Sequence, residues 1–350
     1  MIKGNNILFI GHDLSDKGGI ATLENQYAKI IKPYKHISIF KLDSIANKLY
    51  IFIKGIIIMF WELMKDEEIK IVHIQTASGV DFYRNCVPLL ISKLFRKKII
   101  LHVHGGYFAE FCKNHIKTSL FIINKVDRLL VVSDFLYRKL VSLEIKVPII
   151  RVYNILEEPI QLELNEDKKD NVIMLGFLGA INNNKRIFDL LNLFVEHPDL
   201  HKYYRLKIGG VGDIDRLNFI ISNYKLESLV TYEGWINGDN KRSFFESIDI
   251  LIQPSDFESF GLSIAEAMSY GKIAIGTNVG GIPEIIRNNI NGFLIEKGDF
   301  DGLYNLLMNL KERKNEFEIM GIAAKESVIQ FYSNNIEKRL KELYVEIINN

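Results

Sequence analysis

Two glutamates and a predicted helix start lie close together in the segment from Pro254 to Glu284. Glu258 and Glu266 are eight residues apart, and between them the Phe260–Gly261 turn opens a predicted helix over Leu262–Tyr270. The first turn of a helix offers unpaired N–H groups and the positive end of the helix dipole, which suit a diphosphate. A carboxylate accepts hydrogen bonds from hydroxyl groups but repels a diphosphate. The pattern therefore favours a ligand that carries both hydroxyls and phosphates.

The spacing of these glutamates argues against the acid and base of a glycoside hydrolase. Eight residues of continuous helix span about 12 Å, whereas the paired carboxyls of such enzymes are about 5–9.5 Å apart. Glu258 precedes the predicted helix and Glu266 lies inside it, so two contacts with one long ligand fit better. Taken singly, each residue also fits the alternative of an ordinary loop or surface-helix glutamate.

Further candidate residues follow predicted strands elsewhere in the chain. Gly18 and Gly19, in the segment DKGGI, would let a ligand approach the backbone, with a simple turn as the alternative. Gly179 and Lys185 lie in the segment GFLGAINNNK, where an exposed loop lysine is the alternative.

Two short patterns raise the question of a bound metal. His102 and His104 are two residues apart on a predicted strand and so share one face, as zinc ligands would. No third or fourth ligand with matching spacing accompanies them in the sequence, so we expect no metal there. Asp213 and Asp215 form a D-x-D, which we interpret as the cap of the next helix and not as a metal-diphosphate site.

Short apolar runs alternate with stretches of helical length along both halves of the chain. Runs that are apolar on both faces and separated by helices predict parallel sheets covered on both sides. Helices are predicted at Gly19–Ile31, Asn47–Met64 and Asp134–Leu143, and the chain from Asn315 to Asn350 is predicted to be helical without strands. The predicted strands are Ile7–Ile10, Ile37–Leu42, Ile71–Ile74, Ile99–His104, Leu129–Val132, Ile149–Val152, Val172–Leu178, Tyr204–Ile208, Val230–Glu233, Ile250–Gln253, Ile273–Thr277 and Gly292–Ile295.

The alternation breaks once, over a polar and acidic stretch that contains Pro159, and this break predicts two domains. We expect an N-terminal domain over 1–155, a linker over 156–171, a C-terminal domain over 172–330 and a last helix over 331–350 that returns to the N-terminal domain. Ligands of such sheets bind beyond the carboxyl ends of the strands. The predicted fold is therefore α/β, with two doubly wound parallel-sheet domains facing a cleft and helices at the C-terminus.

Composition narrows the class of protein. Lys+Arg 44 against Asp+Glu 43 gives a formal charge of +1, which does not indicate nucleic acid as a partner. The two cysteines predict no disulfide framework, and the first residues read as a strand instead of a signal peptide, so we expect a cytoplasmic protein. The apolar segment Leu49–Met64 is shorter than a membrane span and is predicted to be a buried or surface-dipping helix. The basic run Lys93–Lys98 is either a solvated helix end or attracts anionic lipid.

The segment 254–284 also resembles a known family. Its order of motifs, E-x7-E around F-G-L, then E-A-M-x-x-G and V-G-G-I-P-E, is similar to the donor-binding signature of retaining glycosyltransferases of family 4, which have the GT-B fold of two Rossmann-like domains. The resemblance implies that Glu258 contacts the transferred sugar and that Glu266 holds the ribose hydroxyls. It further implies that backbone amides at Phe260, Gly261 and Leu262 meet the sugar or the β-phosphate.

The same family has Arg and Lys beside the donor diphosphate. Gly179 and Lys185 fit that pattern, but Ala180 stands where the family has Arg, and Arg186 is the candidate replacement. In the N-terminal half, the resemblance places Gly18 and Gly19 in a loop that meets the donor phosphate and the acceptor.

Two further positions follow from the resemblance. His104 matches a histidine that contacts the donor sugar, and Asn154 matches an asparagine at the hinge between the domains. The resemblance thus makes Glu258, His104 and Lys185 the expected catalytic group.

The resemblance implies a metal-independent enzyme that moves a hexose-type sugar, with retention of configuration, from a nucleotide diphosphate-sugar, UDP favoured, to a glycan or lipid-linked acceptor in polysaccharide biosynthesis. It implies no cofactor beyond that co-substrate. Contact with the inner face of the membrane is a further expectation, and the sequence does not fix the oligomeric state. The alternatives are a catalytically silent protein that binds a glycan or a partner, and a nucleotide-sugar epimerase.

Overall fold

The chain forms two compact units in the computed structural model, which describes residues 4–159 and 172–349. Unit 1 comprises Met1–Leu156 together with Phe331–Asn350, and unit 2 comprises Glu157–Gln330. Most of the predicted linker, residues 160–171, lies outside the described residues.

Unit 1 contains a six-stranded parallel sheet in the order β2-β1-β3-β4-β5-β6. Every residue of the third strand is buried, as expected for a strand that helices cover on both faces. The strands are β1 (Ile7–His12), β2 (Lys35–Phe40), β3 (Ile71–Thr76), β4 (Lys98–Val103), β5 (Arg128–Val131) and β6 (Ile149–Arg151). The helices between them are α1 (Gly19–Ile30), α2 (Ile45–Lys65), α3 (Val80–Arg84), α4 (Cys86–Leu94), α5 (Phe108–Asn114), α6 (Ile116–Ile123) and α7 (Asp134–Val141).

Unit 2 contains a second six-stranded parallel sheet, in the order β12-β11-β10-β7-β8-β9. Counted within the unit and read from its other edge, this is the order 3-2-1-4-5-6 of dinucleotide-binding sheets. The strands are β7 (Ile173–Leu178), β8 (Tyr204–Gly209), β9 (Val230–Tyr232), β10 (Ile250–Gln253), β11 (Ile273–Thr277) and β12 (Gly292–Ile295). The helices are α8 (Ile187–Glu196), α9 (Ile214–Asn223), α10 (Gly238–Ser247), α11 (Leu262–Ser269), α12 (Phe300–Leu310) and α13 (Phe317–Val328).

The last helix, α14 (Ser333–Asn349), belongs to unit 1 although it follows unit 2 in the sequence. Where the chain leaves and re-enters unit 1, Leu156 pairs with Tyr332 in a single parallel bridge. The apolar side of α14 completes a core that also contains Phe9, Ile71 and Leu130, and it contributes Ile336, Leu340, Leu343, Tyr344 and Ile347.

Each sheet has one place where the strand order reverses, between β1 and β3 in unit 1 and between β7 and β10 in unit 2. Loops that leave the carboxyl ends of the strands diverge at such a point and leave a crevice that commonly binds ligands. The predicted class, α/β with two parallel sheets and C-terminal helices, is confirmed. The predicted site residues follow β1, β4, β7 and β10, which places them at or beside the two reversal points.

Candidate functional site

In unit 2 the reversal point brings Lys185 and Glu258 together. Lys185 ends a short 3-10 turn after β7, and its N–H donates to the Asn182 side-chain oxygen at 3.1 Å. Its ammonium forms an ion pair with Glu258 Oε1 from the loop after β10. The two side chains are 24% and 12% exposed, so both remain within reach of a bound molecule.

Buried polar side chains hold the Glu258 carboxylate in place. The Ser255 hydroxyl donates to Glu258 Oε1 at 2.9 Å, and the Gln253 amide donates to the Ser255 hydroxyl at 2.9 Å. The Ser263 hydroxyl, in the first turn of α11, donates to the side-chain oxygen Oε1 of Gln253 at 3.2 Å. Sequence reasoning missed Gln253 and Ser255, although a glutamine at the end of the apolar strand Ile250–Gln253 was a visible signal.

The loop of Glu258 is backed by a turn that requires glycine. The N–H of Gly281 donates to the Glu258 carbonyl at 3.0 Å. A Cβ added at Gly280 would lie 1.9 Å from that carbonyl oxygen, and its φ of +57° is also unfavourable for other residues. The V-G-G segment therefore fixes the backbone of the site from behind.

Arg186 sits next to Lys185 in the left-handed region, with a φ of 55°. Its Nε donates to Asp256 Oδ1 at 2.7 Å, and this hydrogen bond raises the pKa of Arg186. Lys297 approaches the same carboxylate oxygen at 3.6 Å. The guanidinium that is the candidate replacement for the Arg missing at Ala180 is thus bound to a carboxylate beside the site.

Helix α11 begins at the glycine predicted to open it. Gly261 is the N-cap residue, with a φ of 96°, and no described side chain caps the first turn. Phe260 is buried in the core beneath it, while Leu262 is partly exposed. The free first turn of α11 therefore lies beside Glu258, as a diphosphate site would require.

Glu266 lies one turn further along α11 and is 7% exposed. Its carboxylate Oε1 is 2.6 Å from the ammonium of Lys241 on α10. An ionised carboxylate this buried needs such a partner. Nothing in the sequence pattern pointed to Lys241, which lies on a different helix.

The D-x-D of unit 2 caps a helix, as predicted. Asp213 Oδ1 accepts a hydrogen bond from the N–H of Arg216 at 3.2 Å, at the start of α9. Across residues 4–159 and 172–349, no three His, Cys, Asp or Glu side chains are grouped closely enough to hold a metal ion.

In unit 1 the glycine loop lies after β1. Gly18 is the N-cap residue of α1, and its φ of −172° is extended backbone that any residue adopts. A Cβ added at Gly18 or Gly19 would meet no atom of the described residues within 4 Å. The protein's own packing does not require these glycines, so they leave space next to the start of α1.

The reversal point of unit 1 holds a polar group that sequence reasoning missed. His12, at the end of β1, has its Nε2 3.4 Å from Asp81 Oδ1. Asp81 Oδ2 accepts a hydrogen bond from the N–H of Ala77 at 2.6 Å, and Arg84 pairs with the other oxygen. Burial raises the pKa of Asp81, but the hydrogen bond from His12 and the charge of Arg84 outweigh it and lower that pKa.

His104 follows β4 and is buried. Its Nε2 lies 2.5 Å from the side-chain oxygen Oε1 of Gln75, near the end of β3. Burial lowers the pKa of His104 to about 4, against the opposing effect of Asn154. The ring is therefore neutral near pH 7 and can act as a hydrogen-bonding group but not as a cation.

His102 takes part in a buried hydrogen-bonded chain. Its Nδ1 is 3.2 Å from His73 Nε2, and the other nitrogen of His73 is 2.8 Å from the Tyr344 hydroxyl of α14. Tyr27 of α1 also contacts His102, at 3.3 Å. Burial lowers the pKa of His73 to about 3. These two histidines form a hydrogen bond with each other, and through Tyr27 and Tyr344 they connect β3 and β4 to α1 and α14.

Residues 158–327 match the family model of glycosyl transferases group 1. Among curated relatives, the chain is 27% identical over 300 residues to the N-acetyl-alpha-D-glucosaminyl L-malate synthase of Bacillus anthracis. The aligned region covers 82% of this chain and 77% of that protein.

Two solved structures have the same overall fold. Sucrose-phosphate synthase from Thermosynechococcus elongatus superimposes with a TM-score of 0.78 at 15% identity, over 98% of this chain and 99% of that one. HepE of Anabaena, solved with UDP and glucose, superimposes with a TM-score of 0.77 at 16% identity, over 97% of this chain and 99% of that one.

Proposed function

Because residues 158–327 match the family model of glycosyl transferases group 1, we propose that this chain is a member of that family and a retaining, metal-independent hexosyltransferase. It moves a sugar from a nucleotide diphosphate-sugar, UDP favoured, to a glycan or lipid-linked acceptor in polysaccharide biosynthesis. One observation carries the proposal: Lys185 and Glu258 meet at the reversal point of the unit 2 sheet, beside the free first turn of α11.

The paired charges of Lys185 and Glu258 suit the two ends of a sugar diphosphate. In this proposal the ammonium of Lys185 turns to the diphosphate, and the Glu258 carboxylate accepts hydrogen bonds from the sugar hydroxyls. Ser255 and Gln253 keep the Glu258 carboxylate in position when Lys185 turns from it to the diphosphate. The Lys185–Glu258 pair is therefore charge-balanced before the donor binds, and in the complex the ammonium offsets part of the charge of the diphosphate.

The nucleotide is proposed to lie along α11. The backbone amides at Phe260, Gly261 and Leu262 meet the sugar or the β-phosphate, and Glu266 accepts hydrogen bonds from the ribose hydroxyls. The partner of Glu266, Lys241, holds the carboxylate in place at the edge of that position. Gly179 and Arg186 complete the donor site, with Arg186 kept beside the phosphates by Asp256.

Unit 1 is proposed to receive the acceptor. Gly18 and Gly19 leave space for it at the start of α1. The neutral ring of His104 is proposed to form a hydrogen bond with the donor sugar. Retention needs little from a protein base, because the leaving phosphate can take the proton of the acceptor hydroxyl. The protein's main contribution is stabilisation of the charge that grows on that phosphate.

UDP is favoured as the nucleotide because HepE, which shares the fold, was solved with UDP and glucose. We propose a cytoplasmic protein, with its acceptor at the inner face of the membrane when that acceptor is lipid-linked. No described helix is long and apolar enough to cross a bilayer.

One observation favours the alternative of a catalytically silent binding protein. Ala180 replaces the expected Arg, and Arg186 is bound to Asp256. If the diphosphate lacks a second cation, the site could hold a nucleotide without activating it.

Nucleotide binding and turnover separate these functions. UDP and GDP are each added to the full chain, and the unfolding temperature is measured; ligand at about 100 times its Kd adds about 2.7 kcal/mol of stability. A panel of UDP-sugars is then assayed for UDP release, with and without EDTA.

We expect UDP to stabilise the chain, at least one UDP-sugar to release UDP, and EDTA to leave the rate unchanged. Glu258→Gln should retain UDP binding while losing turnover. Stabilisation by UDP without turnover of any donor would support the silent binder. No stabilisation by either nucleotide would refute the donor site itself, and a rate restored by manganese after EDTA would refute metal independence.

A further inference from the structure

Helix α2 has an unusual burial pattern for a helix that covers a sheet. Of its 21 residues, three are buried, and Gly55, Met59 and Leu63 follow one another at intervals of four. They form a narrow stripe against β2, where a Cβ at Gly55 would lie 2.4 Å from the Ser38 carbonyl oxygen. Most of the helix circumference therefore faces away from the sheet.

The outward face of α2 is apolar. A helix on the surface of a globular protein ordinarily shows polar residues opposite its buried stripe. Here the outward residues at helical spacing are large and hydrophobic, and those at least 50% exposed are Ile45, Leu49, Tyr50, Ile53, Ile57 and Trp61. Met64 extends the same face by a further turn and is 47% exposed.

The neighbouring helix continues this surface. Phe60 of α2 packs on Phe95, just after α4, with ring centroids 5.2 Å apart. On α4 itself, Leu90 and Leu94 are 58% and 71% exposed. We call the outward sides of α2 and α4 the apolar face. Contiguous exposed apolar surface of this kind marks an interaction site.

Basic residues accompany the apolar face. Segments 45–65 and 86–98 contain seven Lys and Arg residues and one acidic residue, Glu62. The ammonium of Lys65 lies 5.6 Å from the Trp61 ring centroid, and that of Lys54 lies 5.9 Å from the ring of Tyr50. Aromatic rings and lysines beside aliphatic side chains are typical of helices that lie in a lipid headgroup layer. The basic residues are Lys48, Lys54, Lys65, Lys93, Arg96, Lys97 and Lys98.

We propose that the apolar face binds the surface of an anionic bilayer, with α2 lying in the plane of the headgroups. Its aliphatic and aromatic side chains enter the headgroup–acyl boundary while the lysines meet lipid phosphates. Lys93 and Lys98 lie 4.0 and 3.7 Å from Asp127, which compensates those two charges. A symmetric dimer through this face would still place the lysines of α2 opposite one another with Glu62 as the one acidic residue of that helix, which disfavours a second copy as the occupant.

This surface deepens the proposed function, because a lipid-linked acceptor would then be met where it is anchored. Only that consequence rests on sugar transfer. Binding to a bilayer depends on α2 and α4 alone and is measured without any donor or acceptor.

Vesicle co-sedimentation of the full chain tests the proposal. Vesicles of phosphatidylcholine are compared with vesicles of phosphatidylcholine mixed with phosphatidylglycerol. We expect the chain to bind the mixed vesicles and to bind them more weakly at high salt. The double variant Ile57→Ser with Trp61→Ser should partition at least ~10-fold more weakly, because it lacks two of the apolar side chains that would enter the lipid. Lys54→Glu with Lys65→Glu should remove the preference for the anionic lipid.

A matched control removes comparable exposed apolar area from unit 2. Phe219 and Ile319 are 65% and 72% exposed, and their change to Ser should leave vesicle binding unchanged. Circular dichroism and UDP-induced stabilisation verify that each variant is folded, and they also report separately on the donor site. Equal vesicle binding by the wild type and the Ile57/Trp61 variant would overturn the proposal. So would sedimentation velocity showing a dimer that this variant converts to a monomer.

Discussion

Units 1 and 2 are built from the same kind of sheet but present different side chains at the place where the strand order reverses. In unit 2 that place is occupied by ion pairs on loops, with Lys185 bound to Glu258 and Arg186 bound to Asp256. In unit 1 that place holds one ion pair, between Arg84 and Asp81 beside His12, together with open space at Gly18 and with His104, whose pKa burial lowers.

This difference shows how one architecture can provide for both substrates of the proposed function. The sheet determines where the loops converge, whereas the loop sequences determine charge and shape. Exchangeable charges suit a diphosphate that must be bound and then stabilised as its charge grows. The open space at Gly18 and the uncharged ring of His104 suit a hydroxyl acceptor, which carries no such charge.

The largest expected effect lies in the charged half of the comparison. Lys185→Ala should lower kcat by ~10²-fold or more, because a preorganised cation at a developing charge is lost. Lys207→Ala is the matched control, since Lys207 is equally exposed at 24% and also forms an ion pair, with Glu233. Steady-state kinetics of UDP release measure both variants.

Arg186 is a neighbouring cation that would cover part of the loss. The double variant Lys185→Ala with Arg186→Ala should therefore be slower than either single variant. Wild-type rates in all three would show that the donor site is placed wrongly and would remove the charge contrast between the units.

A smaller effect is expected for the nucleotide contact. Glu266→Ala should weaken UDP binding by roughly 1.5–3 kcal/mol, because hydrogen bonds to a charged acceptor are lost. Isothermal calorimetry with UDP measures this directly, and Glu233→Ala, in the same unit but remote from α11, serves as the control. Unchanged affinity for UDP in the Glu266 variant would exclude the ribose contact.

The glycines of the two units should respond differently to the same substitution. Gly280→Ala should lower the stability of the folded state by about 1–3 kcal/mol, since it places a Cβ against the Glu258 carbonyl at a positive φ. Gly18→Ala should leave stability unchanged and reduce turnover, because its Cβ enters space proposed for the ligand. Urea unfolding and UDP-release assays on both variants test this pair, and a stability loss at Gly18 would contradict it.

Acid should destabilise unit 1 before unit 2. His73 has its pKa lowered from 6.5 to about 3 and His104 from 6.5 to about 4, both chiefly by burial. Between those values and pH 6.5 the unfolded chain binds protons that the folded chain excludes, so stability falls as the pH falls. One such histidine lowers the free energy of unfolding by up to about 1.4 kcal/mol for each pH unit of acidification in this range.

Urea unfolding at pH 7.5 and pH 5, followed by hydrogen exchange in peptides from β3 and β10, resolves the two units. Between the two pH values, we expect the urea midpoint measured for the β3 peptide to shift more than the one for the β10 peptide. His73→Gln should reduce the shift of the β3 peptide. A common shift of both peptides would show that the buried histidines do not distinguish the units.

The sheets were accessible to sequence reasoning because their strands are short, apolar and separated by helices. The predicted strand Ile250–Gln253 matches β10 in full, and Ile71–Ile74 falls within β3, which ends two residues later. The strand ends were missed where polar residues continue a strand, as at His12 of β1. A polar residue gives no apolar signal even when a neighbouring strand pairs with its backbone.

Helix α2 was predicted in place but not in its environment. Its apolar composition fitted either a buried or a surface helix, and the structure leaves most of it exposed. Burial depends on what packs against a helix, which composition does not contain.

The polar side chains that pair with the site residues could not be predicted from the sequence, for a related reason. Lys241 meets Glu266 from another helix, and Asp81 meets His12 from 69 residues away. Such contacts depend on how loops return to a sheet, and no local spacing encodes them.

Helix α14 sets the order in which the chain can mature during its synthesis. Residues 157–330 leave the ribosome before the last part of the unit 1 core exists, because Leu340, Leu343 and Tyr344 are translated after them. Unit 2 can therefore close while the sheet of unit 1 still lacks one of its coverings. A nascent chain that has produced every strand still exposes the apolar surface around Phe9 and Ile71, and it is the translation of α14 that ends its need for protection from aggregation.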